Sequence, residues 1–175
     1  PVLAAFWELE PDRYVEMAND AARRIAARPP LAGPRVLLTG APVDGGTLHQ
    51  AIESHGAVVV AEVGPWGSGV AEDDVRIDAD PVAALADTYR GSIGARTPVD
   101  SLWRWTGSML DEVDAVVVSL PPDDAVFGWD YPALRNLLAA RGIPHACLRG
   151  DPYDAPAPAD HARLGAMVSA ASRLP

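Results

Sequence analysis

Two stretches decide the fold: Arg35-Val-Leu-Leu-Thr-Gly-Ala-Pro42 and, a little further on, Ala57-Val-Val-Val-Ala-Glu62. Each is a short, nearly continuous apolar run. Strict alternation would mark a strand wet on one face, whereas a continuous run marks a strand covered on both, as in a parallel sheet. Between the two, Asp44-Gly-Gly-Thr47 turns into a helical segment with Leu48, Ala51 and Ile52 at helical spacing. Thr47 or Asp44 is expected to cap this helix and Gly56 to end it. Strand, helix and strand form a βαβ unit, whose right-handed crossover sets the two strands side by side and parallel.

The same rhythm continues outward. Asp80-Pro81 opens a helix that runs through Tyr89, with proline at the first helical position. A further helix is expected over about Val99 to Leu110. Asp114 to Leu120 reads as a third strand, Tyr131 to Arg141 as a helix ended by Gly142, and Ile143 to Arg149 as a fourth strand. A Pro-rich loop, Asp151 to Pro158, leads to a last helix from Ala159 to Ser172. Strands alternating with helices predict an α/β fold of three layers, Rossmann-like or flavodoxin-like, with a mainly four-stranded parallel sheet in the order 2-1-3-4. On the N-terminal side, Tyr14, Met17, Ala18, Ala21 and Ile25 recur at helical spacing between Pro11 and Pro29-Pro30. The expected organisation is a helical linker over 1–32 and a Rossmann-like domain over 33–175.

The 175 residues carry a net charge of −10, and every basic residue is arginine. An acidic surface repels phosphate backbones, so no nucleic-acid partner is expected. The longest apolar runs fall far short of the roughly 20 residues of a spanning helix, so no membrane partner is expected, and no secretory signal pattern is seen. A soluble, cytoplasmic protein is the expectation. The single cysteine, Cys147, cannot form an internal disulfide, nor alone a cysteine-ligated metal or iron–sulfur site. It reads as a small buried hydrophobe.

In folds of this class ligands bind beyond the carboxyl ends of the strands. Those ends point to Gly40, Ala41, Pro42, Trp66, Gly67, Ser68, Asp124, Trp129 and Asp151 as the candidate ligand-binding rim. No catalytic residue and no metal ligand is assigned. The loop Gly64-Pro-Trp-Gly-Ser-Gly69 lacks the lysine and spacing of a phosphate loop. Asp123, Asp124 and Asp130 share one strand-to-helix loop, where two carboxylates suit metal binding or acid–base work and Asp130 suits a helix cap. Asp151 and Asp154 fit an Asx-stabilised turn. The histidines, His49, His55, His145 and His161, form no pair on one helix face and read as structural or exposed. Ser68, Ser108 and Ser119 have no base near them in sequence, and no nucleophile-elbow pattern is present.

Several pieces, in order, resemble the C-terminal domain of the 2-hydroxyacyl-CoA dehydratase and benzoyl-CoA reductase family. They are Arg35 to Pro42, Ile52 to Val60, Asp80 to Ala86, Val113 to Val118, and Trp129-Asp-Tyr-Pro-Ala-Leu-Arg135 running into Ala140-Arg-Gly-Ile-Pro144. The resemblance covers roughly residues 33 to 175. It implies paired, related subunits, [4Fe–4S] clusters on cysteines, an ATP-driven electron-donating activator, and lyase or reductase chemistry on acyl-CoA thioesters. The sequence departs from that pattern where the resemblance would place cysteines: Pro65 and Asp124 stand at those positions, and Cys147 matches neither.

The resemblance therefore implies a cluster-less subunit domain, with no cofactor on this chain. It would be a structural or acyl-CoA-binding partner of a cluster-bearing subunit, in a hetero- or homodimer. Catalysis by this chain alone is left open. The alternative is a stand-alone α/β module that binds a small ligand or regulates without catalysis.

Overall fold

In a computed structural model, the structure describes residues 8–41, 43, 46–63, 75–77, 80–91, 107, 109–124, 127–150 and 154–174. The chain divides into two units, residues 1–31 and 32–175. The first holds helix α1, Pro11–Ala26, with proline in its first turn and exposed pairs from Asp20 to Arg23 and Arg24. Its apolar stripe has the spacing read from the sequence, yet none of its residues is buried. Phe6 and Trp7 lie outside the described residues.

The second unit is an α/β fold. Its strands are β1 (Arg35–Gly40), β2 (Val58–Val63), β3 (Ala115–Leu120) and β4 (His145–Arg149). Helices α2 (Thr47–Glu53), α3 (Pro81–Gly91), α4 (Phe127–Arg141) and α5 (Pro158–Ala171) alternate with them. A 3-10 turn, Leu110–Glu112, precedes β3. All pairings are parallel and the order is β2-β1-β3-β4.

The apolar runs explain the layering. Side chains alternate across a strand, so β1 sends Val36 and Leu38 to one face and Leu37 to the other. On the first face these meet Ala115, Val117, Ala146 and Leu148 of the sheet, Leu48 and Ile52 of α2, and Leu164 and Met167 of α5. On the second, Leu37, Val116, Val118 and Leu120 pack against Leu110 and against Leu134 and Leu138 of α4. β3 is buried at every position, as expected of a central parallel strand. In β2, Val36 pairs with Val59 but Leu37 with Ala61, so Val60 is the extra residue of a bulge and is 43% exposed.

Three local expectations need correcting. First, α2 has Gly46 at its N-cap, with no side-chain capping bond, and Thr47 is already helical; Asp44 lies outside the described residues. Second, α4 begins at Phe127, a turn before the expected Tyr131, leaving Pro132 inside the helix. The early start is possible because the Asp124 carboxylate accepts the Gly128 N–H, satisfying a donor that has no partner inside the helix. Asp130, expected to cap, sits in the first turn, where its charge complements the helix dipole. Third, β4 starts at His145 rather than Ile143. The helix expected over 99–110 falls mostly outside the described residues. The helix opened by Asp80-Pro81 is present as α3, and the Asp80 carboxylate accepts the N–H groups of Val82 and Ala83.

The centre of the sheet tolerates no added bulk at one point. Gly40 has φ of +108°, and a Cβ there would lie 2.2 Å from the Ser119 carbonyl oxygen. The Ala41 N–H donates to that same oxygen at 2.8 Å, so β3 cannot retreat without breaking the bond. Gly40→Ala is expected to cost about 3 kcal/mol or more, read as a lowered urea midpoint with an unchanged denaturant slope.

Candidate functional site

Strand order reverses between β1 and β3, and the carboxyl ends of the strands open there, the usual ligand position in open α/β sheets. A cavity of about 180 Å³ lies at this point. Val43, just after β1, and Leu48 of α2 give it an apolar wall. Ser119 and Leu148 close its base from β3 and β4. Gly150 and the loop Asp154 to Ala157 form the opposite side, with Asp160 of α5.

Two polar side chains in this wall differ in state. Asp160 is 8% exposed, and its charge is compensated. Oδ1 accepts from Arg163 Nη1 at 2.8 Å and Oδ2 accepts the Ala157 N–H at 3.2 Å. This is half of a capping box, since Ala157 has no side-chain acceptor to complete it. Ser119 is 7% exposed, faces the cavity, and uses its hydroxyl in none of the hydrogen bonds among the described residues. Arg149 ends β4 at the cavity's lip, and its guanidinium reaches the first turn of α4, with Nη2 4.0 Å from where Gly128 would carry a Cβ. Among the described residues it forms no ion pair, whereas Arg35, Arg141 and Arg163 are each paired with a carboxylate.

A second polar pair stands at the end of β2. The His49 Nε2–H donates to Glu62 Oε2 at 3.1 Å, because a carboxylate only accepts. Nδ1 then stays buried with no hydrogen-bond partner.

The residues expected at the rim are distributed as follows. Gly40 and Ala41 lie at the end of β1, where their backbone holds β3. Asp124 is bonded to Gly128 at the start of α4. Trp129 is 81% exposed on α4. Pro42, Trp66, Gly67, Ser68 and Asp151 lie outside the described residues. Arg149, Asp160 and Val43 were not singled out from the sequence. Ser119 was noted only for lacking a base. Its signal was its place as the one polar residue in the run Ala115 to Leu120.

A family profile described as "2-hydroxyglutaryl-CoA dehydratase, D-component" matches residues 2–168. The chain belongs to this family. No curated protein matches it.

Membership raises the question of an iron–sulfur cluster, which needs several thiolate ligands. The one thiol, Cys147, is in the middle of β4, on the sheet face covered by α4, and only partly exposed. Asp124 is already bonded to Gly128, and Pro65 has no donor atom in its side chain. Among the described residues no three metal-ligating side chains cluster. Among the described residues, Cys147 and its neighbours supply no set of ligands for a cysteine-held cluster. Nor is any helix among the described residues long and apolar enough to cross a membrane.

The Cys147 thiol also holds its proton more firmly than a free thiol does. Burial pushes its thiol up, and the nearby Arg149 charge and a hydrogen bond with Tyr131 only partly oppose this. Burial likewise raises the Tyr131 phenol, with the Cys147 charge adding to the effect. Each group holds its proton more tightly folded than unfolded. Their contribution to stability is therefore complete below the ordinary thiol and phenol ranges and is lost as pH rises through the raised folded values. Alkylation of Cys147 at pH 8 is expected to be at least about tenfold slower in the native protein than in urea. Equal rates would mean an accessible thiolate.

Proposed function

We propose that this chain is a non-catalytic domain of a dehydratase-type assembly. It binds an acyl-CoA or supports the structure beside a related subunit that carries the iron–sulfur cluster, in the cytoplasm. The observation that carries this reading is the family match over residues 2–168 in a chain with one cysteine. The reading joins family membership to a single thiol, fewer than a cysteine-held cluster requires.

The strand-end cavity supports the ligand half of the proposal. In this reading Leu48 and Leu148 contact the apolar acyl end, the Ser119 hydroxyl donates to the thioester carbonyl, and Arg149 at the lip pairs with an anionic group of the CoA. A volume of about 180 Å³ is below the roughly 300–1,000 Å³ of sites that enclose whole small molecules. The cavity therefore suits the acyl end, with the nucleotide lying across the outer rim. The small volume equally favours the second reading, a stand-alone module for one small ligand.

Two measurements separate these readings. Anaerobic purification from the native source, with iron and acid-labile sulfide assayed on every co-eluting chain, should yield iron on a second, cysteine-bearing chain. Iron-free protein eluting alone would remove the partner role. Calorimetric titration with a short acyl-CoA should give saturable binding that Arg149→Gln weakens about tenfold. Free CoA should bind less well than its thioester. No heat in any titration would remove the acyl-CoA role.

A further inference from the structure

The strand-end cavity does not involve His55 and His161, and neither does the acyl-CoA reading. His55 lies in the turn after α2, and His161 lies in α5, 106 residues later in the chain. The structure brings His55 Nε2 within 3.3 Å of His161 Nδ1. The ring centroids are 5.6 Å apart and the planes are tilted by 50°. Both rings are partly buried, so solvent reaches them.

The geometry points to a two-histidine site for a divalent ion of tetrahedral preference, zinc above all, clipping the turn after α2 to α5. Imidazole nitrogens bound to one tetrahedral ion at about 2.05 Å lie about 3.3 Å apart. That equals the separation already present, so the ion needs no movement of the two nitrogens toward or away from each other. It replaces the proton between the two rings, which turn so that both lone pairs meet on the ion.

Gly165, one helical turn beyond His161, faces the His55 ring, and a Cβ there would stand 3.3 Å from Nδ1 and 3.4 Å from Cε1. The residue after His55 is Gly56, with φ of +87°, which only glycine adopts easily. Neither position crowds the ring. The nearest acidic neighbour in the chain, Asp160, is committed to Arg163 and to the Ala157 N–H. No third ligand joins the pair among the described residues, so water completes the shell. The site is therefore of exchangeable affinity and removable by a chelator.

Binding to the folded chain alone raises stability, which provides a readout independent of any activity. The probes are zinc chloride and copper chloride added separately to the whole chain. The expected results are one ion bound per chain, a rise in melting temperature with zinc, and a copper spectrum with two nitrogen ligands. His55→Gln and His161→Gln should each weaken binding by about tenfold or more and abolish the rise, while His49→Gln should leave both intact. Unchanged affinity in both variants, or no binding by the parent, overturns the site. If either variant fails to fold, the parent decides. Zinc must then shift the imidazole resonances of His55 and His161 ahead of those of His49 and His145, and any other order overturns the proposal.

Discussion

The pairing of β1 with β3 is the constraint from which the rest of the domain follows. The two strands run parallel at the middle of the sheet, in unbroken register from Val36↔Ala115 to Gly40↔Ser119. Both are apolar on both faces, so neither face can be left to water. Hydrocarbon on two sides requires cover on two sides, which α2 and α5 supply on one and α4 on the other. The pairing also sets where a ligand can bind. Because β1 connects outward to β2 while β3 connects to β4, the loops beyond β1 and β3 diverge, and the cavity lies in that divergence. Where the two strands end, Gly40 leaves no space for a side chain and Ala41 bonds back to Ser119. That joint holds the cavity floor rigid.

The strand order, the alternation of helices and the parallel sense were legible because each strand announces itself as a continuous apolar run. Local ends were less legible. Tyr131 read as the helix start, yet α4 begins at Phe127, because the Asp124 carboxylate upstream satisfies a first-turn N–H. The sequence around Asp124 showed a carboxylate but not which N–H it would meet. Thr47 looked like a cap, yet Gly46 holds that position and threonine was drawn into the helix. Val60 looked like one more buried valine, and only the pairing shows it as a bulge.

The candidate site was less legible, for a different reason. A strand-end rule selects loops, and it named backbone positions such as Gly40 and Ala41 whose role is to hold β3. It passed over Arg149 and Asp160, which reach the cavity from the last residue of a strand and the first turn of a helix. Spacing along the chain could not pair His55 with His161, because helical periodicity relates only residues a few positions apart. Nor could it separate Asp160, whose charge Arg163 meets, from a carboxylate open to solvent.

Cys147 and Asp124 both take part in the packing and hydrogen bonding of the domain. Cys147 is held in the layer between sheet and α4, beside Tyr131 and Ile143, and contributes as a packed side chain. The Asp124 carboxylate accepts the Gly128 N–H at the start of α4. The sheet is covered by hydrocarbon on both faces, so burial supplies a large favourable contribution to folding. Small domains whose stability depends on a metal lack such a core. This one has it, which frees the strand-end positions to change chemistry while the scaffold persists.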